Sequence, residues 1–292
     1  VYEKRFFVKE GFVYGTGGNW KARWAIQIDG LNKDKLSVNI DCKSRSIRGF
    51  LAPNITTNTL LLPLLELMFF ERGYLLLHSA AVNKDGAGYL LAGRGGAFKT
   101  SITMDLIRKY KYEYMGDERV LIGLNNIYSF PMNIKIFEFL LNNEKDELMR
   151  TYTKLRLITY LLRSRQREIK VTDRSCLAGL LFLTPSTRPF NVKSLDAKAA
   201  AKKMLSNILM EHFEMSKIIG ISISPVFECI MVYISTYPDS PLAKFRERML
   251  LRLETVFSGL PIYEVFIPLK YDESVARFIN ALLNENCRIG KV

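Results

Sequence analysis

The 292-residue chain has few of the residues that build metal sites and disulfide frameworks. It holds four cysteines, all far apart in sequence with no C-x-x-C pair, and only two histidines. A structural zinc site needs closely grouped Cys and His ligands, so we expect none here. Glutamine is also scarce, with two residues beside abundant Lys, Arg and Glu, a bias typical of thermophilic proteins. Free thiols in a reducing cytoplasm are expected, although thermophiles also form intracellular disulfides.

Long apolar runs are missing as well. The most apolar stretch, Leu60 to Phe70, is shorter than the roughly 20 residues that cross a bilayer, and it contains Glu66. The N-terminus lacks the charged, apolar and small-residue succession of a secretory signal. We therefore expect a cytoplasmic protein with no membrane partner.

Acidic residues are outnumbered, with 29 Asp and Glu against 42 Lys and Arg, and the net charge is +13. This charge favours an acidic partner such as nucleotide phosphates, an acidic substrate or nucleic acid. The stretch 150–170 has seven Lys and Arg against one Glu, which is typical of a solvated helical face or of a contact with an acidic ligand. Only Tyr152 and Tyr160 could stack on bases there, so nucleic acid is disfavoured as a partner.

Turn and strand patterns predict two domains. Residues 1–57 form a small β-rich region, an antiparallel meander with strands at 5–14, 22–29 and 35–42 and turns at 15–18 and 29–30. Residues 58–292 form the main domain. Its predicted strands are 74–83, 88–92, 112–115, 119–124, 127–130, 176–184, 227–235 and 262–268. Its predicted helices are 59–72, 99–110, most of 132–169, 195–214, 241–257 and 274–284. This succession predicts an α/β fold with a mixed sheet and flanking helices.

The stretch from Tyr89 to Tyr110, YLLAGRGGAFKTSITMDLIRKY, has the layout of a phosphate-binding loop between a buried strand and a helix. In such a loop, backbone N–H groups and the helix N-terminus bind an anion, the Lys ammonium reaches the terminal phosphates, and the Ser/Thr hydroxyl joins the magnesium shell. The predicted nucleotide-binding residues are Gly93, Arg94, Gly95, Gly96, Ala97, Phe98, Lys99, Thr100 and Ser101. A glycine-rich turn without a ligand is the alternative.

One position departs from the pattern G-x-x-x-x-G-K-[ST], because Phe98 stands where glycine precedes the lysine. A residue with a Cβ costs roughly 1 kcal/mol at a positive φ. If the loop binds phosphate, we expect the ring to pack beneath it against the apolar face of the Ile102 helix. The alternative is a ring that fills the phosphate pocket.

An acidic pair, Asp117 and Glu118, follows the short strand after the loop helix. Phosphoryl transfer to a hydroxyl needs positioning, charge neutralisation and a base near the attacking oxygen. Asp117 is the natural candidate for that base. A polar turn at a strand end is the alternative for the pair.

These features occur in an order that resembles the HPr kinase/phosphorylase family and its relatives. The matching features are His78-Ser79-Ala80-Ala81-Val82, the Asp85-Gly86 turn, the glycine-rich loop and Gly116-Asp117-Glu118-Arg119-Val120, within about 55 residues from Leu75 to Phe130. The resemblance implies a P-loop-containing, HPr kinase/PEP carboxykinase-like fold. The family's later substrate-binding loop is not found, so the resemblance does not imply action on the protein HPr.

The resemblance also implies roles for individual residues. Lys99 and Thr100 match the phosphate and magnesium positions, and Asp117 matches the carboxylate that takes the proton from the substrate hydroxyl. His78 matches a histidine near that carboxylate. Glu118 stands where the family usually has Asp, and it is expected to approach magnesium.

Together these patterns predict an ATP- and Mg²⁺-dependent phosphotransferase that acts on a hydroxyl of a small molecule or peptide. The alternative is a non-catalytic nucleotide-binding or regulatory module in which Phe98 marks lost turnover. A homo-oligomer stays an open alternative.

Overall fold

The computed structural model describes residues 5–18, 22–31, 35–44, 61–131, 169–219 and 224–289. These residues form a mixed α/β protein, which confirms the predicted class. The chain divides into two compact units, one of residues 1–76 and 201–253 and the other of residues 77–200 and 254–292. The region predicted at 1–57 lies inside the first unit. Most of the basic stretch and of the helical region predicted at 132–169 lies outside the described residues.

The strands of the described residues are β1 (Arg5–Lys9), β2 (Phe12–Gly18), β3 (Ala22–Asp29), β4 (Ser37–Ser44), β5 (Leu75–Leu77), β6 (Ser79–Lys84), β7 (Ala87–Ala92), β8 (Glu113–Gly116), β9 (Val120–Ile122), β10 (Asn126–Tyr128), β11 (Arg174–Pro185), β12 (Asn191–Ser194) and β13 (Ile262–Ile267). The helices are α1 (Leu62–Glu71), α2 (Lys99–Tyr110), α3 (Ala197–Ile219), α4 (Pro225–Thr236), α5 (Phe245–Phe257) and α6 (Glu273–Ile289). No helix in these ranges is both long and apolar enough to cross a membrane.

The first unit contains an antiparallel sheet of order β1-β2-β3-β4, so the predicted meander is confirmed. The single strand predicted at 5–14 is wrong, because the chain reverses at Gly11, where φ is 70°. The turn predicted at 15–18 is also wrong, since these residues belong to β2. A Cβ at Gly15 would lie 2.6 Å from Cys229 Sγ, so glycine here permits the sheet to pack closely against the helix that contains Cys229.

Helix α4 covers one face of this sheet, and it replaces the strand predicted at 227–235. Its buried residues Val226, Cys229, Ile230 and Tyr233 follow the i, i+3, i+4, i+7 spacing of a helical face. Pro225 in the first turn suits a helix start, because its missing N–H has no intrahelical partner there. The prediction was wrong because a short apolar run fits both a buried strand and a helix face.

The second sheet has nine strands in the order β5-β9-β10-β11-β7-β6-β8, with β13 beside β11 and β12 beside β13. The pairs of β11 with β7 and with β13 are parallel, and the other registered pairs are antiparallel. The strand predicted at 74–83 is two strands, β5 and β6, separated by a bend at His78. The core between this sheet, α2 and α6 includes Leu91, Ile102, Leu106 and Ile279, all fully buried.

Strand β6 determines where the candidate site forms. It lies between β7 and β8 and is antiparallel to both, with Ser79 opposite Ala92 and Ala81 opposite Gly116. The carboxyl ends of β7 and β8 therefore lie at the same edge of the sheet, next to the start of β6. Ligands of open α/β sheets bind at such edges.

Candidate functional site

The glycine-rich loop leaves β7 at Gly93 and enters α2 at Lys99. A Cβ at Gly93 would lie 2.8 Å from the Leu183 carbonyl oxygen of neighbouring β11, so only glycine fits there without a shift. A turn with Ala97 N–H donating to the Arg94 carbonyl at 3.1 Å closes the loop, and Gly96 has a φ of 81°. Residues 94–96 form its exposed tip.

Phe98 adopts the left-handed conformation, with φ 54° and ψ 24°, directly before α2. The chain therefore has a bulky residue in the backbone region that glycine occupies at least cost. The half-buried ring packs against the core cluster that includes Ile102, and its centroid lies 5.7 Å from that of Tyr271. The ring thus packs on the cluster that contains the apolar face of α2, as expected from the sequence.

Lys99 is only 9% exposed, and its ammonium lies back across the loop. Nζ donates to the Gly93 carbonyl at 2.7 Å and to the Arg94 carbonyl at 3.4 Å. The charge of this ammonium also acts on the Asp117 carboxylate, whose pKa it lowers. A bound phosphate would supply both hydrogen-bond acceptors and the opposite charge.

Thr100 and Asp117 connect the helix after the loop to the turn after β8. Thr100 Oγ1 donates to Asp117 Oδ2 at 2.8 Å. The other carboxylate oxygen, Oδ1, is buried and has no hydrogen-bond partner among the described residues. A buried polar atom without a partner is rare in proteins and often marks a functional site.

The pKa of Asp117 is raised to about 6, mainly by burial and further by the charge of Glu118. The hydrogen bond from Thr100 and the charge of Lys99 oppose this increase. A carboxylate of such pKa is largely ionised near neutral pH, yet it is a stronger base than an exposed aspartate.

His78 lies at the bend between β5 and β6, and its Nδ1 is 2.7 Å from Arg119 Nη1. The same Arg119 nitrogen donates to the Glu118 carbonyl at 2.9 Å. Arg119 is buried, with 5% of its surface exposed. The sequence analysis included Arg119 in the resemblance but gave it no role. An arginine after an acidic pair can be buried or exposed, and nothing in the local sequence distinguishes the two.

The predicted site residues meet at one edge of the sheet. The contacts of Glu118 and Ser101 differ from those expected. Asp117, rather than Glu118, bonds to the Thr100 hydroxyl, and the Glu118 side chain is exposed. The Tyr271 hydroxyl donates its one hydrogen to Asp105 Oδ2 at 2.6 Å, and its oxygen lies 3.2 Å from the Ser101 carbonyl oxygen. Tyr271 therefore braces the first turns of α2.

A magnesium ion fits this donor set only together with a nucleotide. No group of three or more His, Cys, Asp or Glu in the described parts of the chain could hold a metal ion. Mg²⁺ in nucleotide sites takes one or two protein oxygens and completes its shell with phosphates and water. The Thr100 hydroxyl and the exposed Glu118 carboxylate suit such a shell.

Comparison with known proteins gives no name to this site. No protein-family description matches the chain, and no curated protein matches it. Its function is therefore inferred from the geometry of the site.

Proposed function

We propose that the chain is an ATP-dependent phosphotransferase that transfers the γ-phosphoryl group to a hydroxyl of a small molecule or peptide. The second unit would then be a P-loop domain of the HPr kinase type. One observation carries the proposal: Asp117 bonds through one oxygen to the hydroxyl that follows the loop lysine, while its other oxygen is buried without a partner. Such an oxygen suits a metal ion or a proton from substrate.

In this proposal residues 93–101 bind the ATP phosphates. Lys99 exchanges its bond to the Gly93 carbonyl for phosphate oxygens, and the backbone at the start of α2 supplies N–H donors. Thr100 and the exposed Glu118 would hold Mg²⁺, and Asp117 is left to act as the base. When bound, Mg²⁺ neutralises negative charge on the phosphates.

The transfer step uses Asp117 as the base. The acceptor oxygen bonds to the γ-phosphorus, and the bond from that phosphorus to the β,γ-bridging oxygen breaks. ADP leaves with the electron pair, and the hydroxyl proton passes to the Asp117 carboxylate. A pKa of about 6 supports this role, because the group is ionised at neutral pH and basic enough to accept the proton.

A non-catalytic nucleotide-binding module is the second candidate. The observation that favours it is Phe98, which holds a left-handed conformation in the loop at a position where a glycine would adopt it more easily. Such a module would bind ATP without transferring phosphate.

Calorimetry with ATP and Mg²⁺ tests binding, and transfer of radiolabelled γ-phosphate to free serine and hydroxyl-bearing peptides tests catalysis. Lys99→Ala should abolish binding, because it removes the cation expected at the phosphates. Lys198→Ala is the matched control, since Lys198 is exposed on α3 outside the site. Equal ATP affinity of wild type and Lys99→Ala would refute the phosphate loop. Binding without transfer to any acceptor would favour the second candidate.

A further inference from the structure

The contact between Arg119 and His78 carries an inference about the hydrogen on the histidine ring. Arg119 Nη1 bears two hydrogens and has two acceptors, His78 Nδ1 at 2.7 Å and the Glu118 carbonyl at 2.9 Å. The guanidinium therefore joins the bend before β6 to the turn after β8, the two segments that flank Asp117. Its burial keeps water from replacing either bond.

A guanidinium offers only N–H donors and stays protonated in proteins. His78 Nδ1 must therefore accept the hydrogen bond, so it carries no hydrogen. The single hydrogen of the neutral imidazole then lies on Nε2.

We propose that Arg119 is a positioning residue that holds His78 as an Nε2–H donor toward the transferred phosphoryl group. The identity of the accepting oxygen rests on the proposed function, whereas the tautomer rests only on the Arg119 contact. His78 comes directly before β6, and Ala81 of that strand is opposite Gly116, the residue before Asp117.

This assignment separates the roles of the two predicted catalytic residues. A base needs a lone pair directed at the acceptor, and the lone pair of His78 is occupied by Arg119. Proton acceptance therefore falls to Asp117. Hydrogen-bond donors held in place stabilise the charge on the phosphoryl oxygens during transfer. The neutral Nε2–H of His78 would be such a donor, because it forms a hydrogen bond without losing its proton.

NMR of the nucleotide-free protein tests the tautomer independently of any activity. The chain has two histidines, His78 and His212, so ¹⁵N-histidine labelling gives two ring systems and His212→Gln assigns them. We expect His78 to show a single tautomer with its hydrogen on Nε2. In Arg119→Met a mixture should appear, while Arg119→Lys, which keeps a donor, should retain the single form. Hydrogen on Nδ1 in wild type would overturn the proposal even if Arg119→Met fails to fold.

Two amide substitutions of His78 test the donor in transfer. Asparagine can place an oxygen near the Nδ1 position and keep the Arg119 bond, whereas glutamine can place an N–H near the Nε2 position. We expect His78→Asn to lower kcat about 10²- to 10³-fold, as for loss of one fixed donor, and His78→Gln to recover at least tenfold of that loss. In both variants kcat should fall by a larger factor than ATP affinity, because the donor stabilises charge that develops during transfer.

The outcomes separate this inference from the proposed function. Equal kcat in the two amide variants, in a protein that transfers phosphate, would overturn the donor role and leave the phosphotransferase intact. Absence of transfer in wild type, with the Nε2–H tautomer present and lost in Arg119→Met, would overturn the proposed function and retain the positioning by Arg119.

Discussion

Replacing Asp117 with asparagine should change how the stability of the protein depends on pH. The pKa of this carboxyl is raised from 3.8 to about 6, chiefly by burial. In the folded protein it therefore binds a proton in a pH range where the unfolded chain has already lost it. The free energy of unfolding of the wild type should therefore fall as pH rises from 3.8 to about 6. At higher pH it should stay at this lower value. The amide of the Asp117→Asn variant cannot ionise, so that variant lacks this decrease.

The size of the effect follows from the two pKa values. Their difference, 6 minus 3.8, is about two pH units, and each unit corresponds to about 1.36 kcal/mol. The upper bound is therefore about 3 kcal/mol. Because Asp117 is only partly buried, solvent screening reduces this value, and we expect about 1.5 to 2.5 kcal/mol. Burying the asparagine amide also has a free-energy cost, but this cost does not depend on pH. It therefore cancels when the difference in unfolding free energy between variant and wild type is compared at two pH values.

Denaturant unfolding of both proteins at about pH 4 and about pH 8, without Mg²⁺ or nucleotide, measures the change. The free energy of unfolding of Asp117→Asn should rise relative to wild type between these pH values. Asp105→Asn, at a buried carboxylate on α2, is the control variant. Parallel pH profiles for wild type and Asp117→Asn would refute the burial argument.

Three further predictions follow. The transfer rate at saturating ATP should rise with pH to a plateau with a midpoint near 6, since the base must be ionised, and a flat profile from pH 5 to 8 would remove Asp117 from that role. Phe98→Gly should lower the free energy of unfolding by about 1 kcal/mol and leave ATP affinity equal or higher, because lost ring burial exceeds relieved strain. Phe190→Gly is its control, because Phe190 also has a positive φ, 62°, but is 41% exposed, so this change should lower stability less in thermal unfolding. Tyr271→Phe should cost about 1 to 2 kcal/mol by chemical denaturation, because it strips a hydrogen bond from Asp105, whereas an unchanged midpoint would contradict the bracing role.

Local spacing made the loop and its helix predictable. Gly93 stands six residues before Lys99, and the apolar face of α2 begins at Ile102, so strand, turn and helix could be read from adjacent residues. The acidic turn was predictable for the same reason. Its bond to Thr100 was not assigned, because Asp117 and Glu118 differ by one methylene and only the register of β8 determines which one faces α2.

Partners that are distant in sequence could not be predicted. Tyr271 packs on Phe98 across a separation that no local pattern spans, so the support for the left-handed residue was invisible in the sequence. Burial of Arg119 likewise arises from tertiary packing. The strand wrongly predicted at 227–235 is a different case, because Ser224 and Pro225 formed a local start signal for a helix that was outweighed by the apolar run.

The position of β6 between β7 and β8 makes the candidate site depend on strand pairing. Asp117 and Thr100 follow different strands, and both strands are registered against β6. A slip of one residue in the pairing of β6 with β7 or with β8 would move Thr100 by about 3.3 Å relative to Asp117. Such a shift would break the 2.8 Å hydrogen bond between them. Chains with a misregistered β6 would thus lack the candidate site. A ligand that binds the intact site would stabilise only correctly paired molecules, so its presence would raise the fraction of the protein that is correctly folded.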